Sequence, residues 1–66
     1  MTVDDIKKKV ANIRIMAYDF EAAHSYEDDL HQEVLRSIAD GECEDPKGCA
    51  TAALSTLDIR FMRSCA

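Results

Sequence analysis

"MAYDFEAAH", Met16 to His24, decides how this chain folds. Upstream of it Ile6, Val10, Ile13, Ala17 and Phe20 recur at steps of four and three, the spacing of one helical face. Downstream, Phe20, Ala23, Leu30, Val34, Leu35 and Ile38 continue a helical pattern with Tyr26 at its edge. No glycine or proline separates the two. An unbroken helix to residue 39 would be a rod of about 54 Å at roughly 1.5 Å per residue. Such a rod buries nothing. Asp19, by contrast, suits an N-cap, and Glu21 would sit at the positive end of a new helix dipole. The reading is a turn around Ala17–Asp19 and a hairpin of two helices.

Outward from that turn, the remaining punctuation is local. Thr2 with Asp5 three residues on is a relative of the capping box and opens the first helix. Asp40-Gly41 supplies a left-handed terminator for the second helix. "ECEDPKGC" follows as a polar loop, in which Asp45 and Pro46 read as N-cap and first helical residue. Cys49, Ala50, Ala52, Ala53, Leu54 and Leu57 give the third helix its apolar positions, with Gly48 weakening its first turn. Helices are expected over about 3–17, 20–39 and 46–57, followed by an irregular tail whose Ile59 and Phe61 tuck inward. The predicted fold is all-α, a small three-helix antiparallel bundle forming one domain over residues 1–66.

Charge narrows the choice of partners. The 66 residues carry a net charge of −5, distributed very unevenly. Residues 19–45 hold ten acids against Arg36 alone, whereas the segments on either side are each positive by two. That middle field repels a phosphate backbone, so direct nucleic-acid binding is not expected. A basic protein surface, or the basic end of a neighbouring copy, is electrostatically easier. A chain of about 60 residues buries only roughly 60% of its unfolded surface, which also favours a homo-oligomer or a bound partner. No apolar run nears the roughly eighteen residues that cross a bilayer, and "MTVDDIKKKV" lacks a signal-peptide core. A cytoplasmic location without membrane association is expected. The three cysteines, Cys43, Cys49 and Cys65, are then most simply free thiols. Their spacing matches no short zinc knuckle.

The second helix carries the residues that invite a chemical reading. Glu21 to Leu35, "EAAHSYEDDLHQEVL", holds both histidines and five of the thirteen acids. With Glu21 at zero, Asp28 falls near 340°, His24 near 300°, His31 near 280° and Glu27 near 240°, all about 100° per residue. Glu21/His24 and Asp28/His31 thus repeat the Glu-x-x-His relation of carboxylate-bridged metal proteins. Those sites, however, draw donors from several helices, and here the first and third helices offer few. The apolar centre of the same helix lies near 210° as a rough average, so Glu27 lines the core's rim and the histidines its flank. Acid–histidine pairs three or four apart also stabilise a helix surface modestly. The structural reading is preferred. A metal site built from Glu21, His24, Glu27, Asp28 and His31 stands as the alternative, in a helical oligomer. No cofactor is expected.

No phosphate loop, nucleophile elbow or His-Glu-x-x-His motif is present, and so short a helical chain has little room for the roughly 300 Å³ pocket of a typical substrate site. A non-enzymatic protein is expected. The run "EAAHSYEDDLHQEVLRSIADGE", the Asp-Pro, "AALST" and the ending "IRFMRSCA" resemble short helical proteins encoded by bacteriophages and actinobacteria. His24, Glu27, Asp28, Val34, Leu35, Gly41, Phe61 and Arg63 carry the likeness, across residues 19–66. Arg60 and Ser64 depart from it, standing where that group has an acid and an aromatic. The group has no established activity, so the resemblance implies only a small accessory protein; an inhibitor is suggested by the acidity alone. The expected role is a protein–protein interaction module whose contact surface is Glu27, Asp28, Asp29, Glu33, Asp40, Glu42 and Glu44.

Overall fold

The computed structural model describes residues 1–63. Three helices, α1 (Val3–Ile15), α2 (Phe20–Ala39) and α3 (Pro46–Leu54), all pack on one another, and a 3-10 turn over Ser55–Asp58 follows α3. The longest dimension is 33 Å, which excludes the rod and matches the length of α2 alone.

Each helix start is set by a short-range cap. The Thr2 hydroxyl accepts from the Asp5 amide at 3.2 Å while the Asp5 carboxylate accepts from the Thr2 amide at 3.1 Å, a complete capping box. That bond to the Thr2 backbone, joined by the Thr2 hydroxyl, holds the Asp5 carboxyl below its usual range. Asp19 caps α2 through the Ala22 amide at 3.2 Å, and Asp45 caps α3 through the Gly48 amide at 3.0 Å with Pro46 in the first turn. At the end of α2, Gly41 takes φ 72°. The Glu42 amide reaches the Ser37 carbonyl at 2.9 Å and the Gly41 amide the Ile38 carbonyl at 3.1 Å, which completes a Schellman motif.

Two helices are shorter than their patterns suggest. The first stops at Ile15 rather than 17, because the chain turns at Met16 and the Asp19 amide bonds the Met16 carbonyl at 3.0 Å. The third stops at Leu54 rather than 57. There the Ser55 hydroxyl donates to the Ala52 carbonyl at 2.6 Å and the Thr56 hydroxyl to the Ala53 carbonyl at 3.1 Å, tightening the final turn to 3-10 geometry. Leu54 and Leu57 consequently lie exposed, as does Leu35.

The core is Ile6, Val10 and Ile13 of α1, Ala23, Leu30 and Val34 of α2, and Cys49, Ala52 and Ala53 of α3, closed by Ile59. A fully buried aliphatic side chain contributes about 2 kcal/mol. The alanines let α3 approach closely, and Gly48 serves the same end. A Cβ there would fall on the Asp45 carboxylate and lie 3.0 Å from Val3 Cγ2. Ile59 is buried and Phe61 packs against the core, so the irregular tail is docked as far as it is described. Ser64 and Cys65 lie outside the described residues.

Candidate functional site

The residues of the α2 polar flank do not converge. Glu27 is buried, with only 3% of its surface exposed, and it faces the docked tail. Arg63 Nε donates to Glu27 Oε1 at 2.8 Å and Arg63 Nη2 to Oε2 at 2.9 Å, a bidentate pair. The same Nη2 reaches the carbonyls of Thr56 at 2.9 Å and Ile59 at 3.1 Å, while Nη1 reaches that of Phe61 at 3.3 Å. The guanidinium also lies 3.8 Å from the Phe61 ring centre. Burial acts most strongly on the Glu27 carboxyl and pushes its pKa up. The two charge-assisted bonds from Arg63 lead the effects that outweigh it and hold the carboxyl below its ordinary value. Glu27 in turn raises the pKa of Arg63. Glu27 therefore does not belong to an exposed acidic surface. It clamps the tail to α2, and the placement of this acid on the interaction surface is corrected.

His31 is likewise committed. Its Nε2 lies 3.1 Å from the Ala53 carbonyl and 3.0 Å from Thr56 Oγ1. A carbonyl only accepts, so Nε2 carries the proton and the ring ties α2 to the end of α3. His24 Nε2 sits 3.6 Å from Asp28 Oδ2, a helix-surface pair, and Glu21 is exposed. Among the described residues no group of three or more His, Cys, Asp or Glu side chains is gathered as a metal site. Of the five residues in the metal alternative, Glu27 and His31 already have protein partners.

Six of the seven acids expected on the surface are exposed: Asp28, Asp29, Glu33, Asp40, Glu42 and Glu44. Glu44 lies in the loop before α3, and the other five divide between two sides of α2. Asp28 shares the α3 side with the histidines, whereas Asp29, Glu33, Asp40 and Glu42 border an open groove of about 1220 Å³ between α1 and α2. The α1 edge of this groove carries Asp5, Lys8 and Lys9, and Lys9 Nζ bridges it to Glu33 Oε1 at 3.2 Å. Ile15, Met16 and Tyr26 lie at the end near the Met16–Asp19 turn, with Ile15 74% and Tyr26 55% exposed.

Cys49 is buried beneath Met1, and both it and Cys43 are free thiols. The neighbouring Cys43 thiol, with burial, pushes the Cys49 pKa up, so Cys49 is a poor nucleophile. No helix among the described residues is long and apolar enough to cross a membrane.

Fold and surface together define a compact all-α domain with a charged groove on one face and a clamped C-terminal segment on another. No family model, curated protein or solved structure matches the chain.

The tail clamp escaped the sequence reading, although both halves of it left a trace. Glu27 sits nearer the apolar centre of α2 than any other acid in that helix. Arg63 follows an Ile-x-Phe pair that must pack inward. An acid on a core face calls for a cation, and Arg63 belongs to the one segment whose packing the periodicity left open.

Proposed function

We propose that this protein is a small, non-enzymatic protein–protein interaction module, an accessory or inhibitor protein of a phage or bacterium, that presents an acidic surface to a basic partner. The observation that carries the reading is the exposure of Asp28, Asp29, Glu33, Asp40, Glu42 and Glu44 on α2 and the loop after it. Residues 19–45, which contain all six, have a net charge of −9, of which Lys9 offsets Glu33 and Arg63 offsets Glu27, leaving the other acids in excess. A field of one sign raises the encounter rate with an oppositely charged protein and repels nucleic acid. The groove is open, with charged side chains along its edges and apolar ones among its lining, which suits a macromolecular contact better than a small substrate.

The test is affinity capture from the native host by the wild-type chain and by a variant carrying Asp28→Asn, Asp29→Asn, Glu42→Gln and Glu44→Gln. All four positions are exposed, so the fold is retained. A specific protein held by the wild type, released by salt and lost by the variant supports the reading. Equal capture by both proteins, insensitive to salt, refutes it.

A further inference from the structure

The groove between α1 and α2 is complementary to itself. Two contacts fix the antiparallel register of its edges: the Met1 amino group donates to the Glu42 carbonyl at 3.1 Å, and Lys9 pairs with Glu33 at 3.2 Å. Between these two rungs Asp5 comes level with Arg36 and Ser37, and beyond them Met16 comes level with Tyr26; all of these residues line the groove. At three levels the two edges bear opposite sign, while Asp29 and Lys8, which also line the groove, come level with uncharged residues. The amino terminus stands opposite Asp40 and Glu42, Asp5 opposite Arg36, and Lys9 opposite Glu33. The last level is apolar, with Ile15 and Met16 opposite Tyr26.

A two-fold axis parallel to the groove exchanges its edges while keeping each residue at its own level. A second copy laid face to face about that axis brings its Lys9 over Glu33, its Asp5 over Arg36, and its Tyr26 over Ile15 and Met16. The converse contacts form at the same time, as an isologous interface requires. An axis across the groove instead reverses the levels and sets the apolar end of one copy on the charged end of the other. Only the parallel arrangement satisfies both sign and hydrophobicity.

We infer that the α1–α2 face is the interface of a homodimer, an antiparallel four-helix arrangement in which the second copy covers Ile15 and Tyr26. This deepens the interaction-module reading and rests on it, assigning one partner to the groove side of the acidic surface. Asp28 and Glu44 are left free for another protein.

The test is sedimentation equilibrium of the full chain under reducing conditions. The wild type is expected at twice its 7.4 kDa mass. Ile15→Lys and Tyr26→Glu alter exposed side chains, so helicity is retained while the dimer Kd rises by at least about tenfold. A mixing experiment separates pairing between copies from pairing within one. Lys9→Glu and Glu33→Lys each lose the internal ion pair and are each expected to be monomeric alone. Mixed in equal amounts they form a heterodimer, since one offers two acids to the other's two lysines. Monomeric wild type at millimolar concentration, a dimer indifferent to Ile15→Lys and Tyr26→Glu, or no association on mixing overturns the inference. Salt-sensitive capture by a monomeric wild type would overturn the dimer alone and leave the interaction-module reading standing.

Discussion

Replacing Arg63 by alanine isolates the interaction that fastens the tail. The Glu27 side chain is 4% exposed and that of Arg63 30%, so the pair has one dry end and one partly wetted end. Removing one member of a fully buried pair costs about 3–5 kcal/mol, and an exposed pair contributes only about 0–1 kcal/mol. The clamp falls between these limits, at about 2–3 kcal/mol. A chain of this size has a total stability of about 3–10 kcal/mol, so the variant remains folded but much weakened. With an m-value near 1 kcal/mol/M, the urea midpoint should fall by about 2 M. The pH dependence gives a second and more specific readout. In the wild type the folded Glu27 carboxyl titrates below its ordinary 4.5. The unfolded chain then binds more protons through that window. The stabilisation is complete above about pH 4.5 and is lost as pH falls through the folded value. Without Arg63 the leading influence opposing burial of the carboxyl is gone, and its pKa moves up. The difference between variant and wild type should therefore be largest near neutrality and shrink on acidification. Urea unfolding followed by circular dichroism at several pH values measures both effects. A midpoint shift under about 0.3 M, or a penalty independent of pH, would refute the clamp as the tail's main fastening.

Three further outcomes test other parts of the structure. Gly48→Ala should lower stability by about 1 kcal/mol in a thermal melt, although alanine is the better helix former, because the new Cβ displaces the Asp45 cap. His31→Ala should cost about 1–2 kcal/mol in chemical denaturation, through loss of its bond to the Ala53 carbonyl and the packing of α2 on the end of α3. Excess zinc or manganese should leave the melting temperature unchanged, since Glu27 and His31 are held by protein partners; a rise that a chelator abolishes would favour the metal alternative.

The three helices, their starts and the end of α2 were legible because their causes are local, whereas α1 and α3 stop short of their apolar patterns. Thr2 with Asp5, Asp19 with Ala22, Asp45 with Gly48, and the glycine at position 41 all act within a few residues, so the chain announces them by spacing alone. The stripe of Ile6, Val10 and Ile13 likewise names the buried face of α1, since a helix repeats its environment every three to four residues. Which charge is buried was settled only in three dimensions. Glu27 and Arg63 lie 36 residues apart, and the acid tolerates burial only because the tail returns to meet it. His31 reads as a flank residue until α3 ends beside it and offers a carbonyl. The groove follows the same rule. Sequence alone distributes lysines to α1 and acids to α2, but only the register of the hairpin sets Lys9 against Glu33, and no local interaction encodes that register.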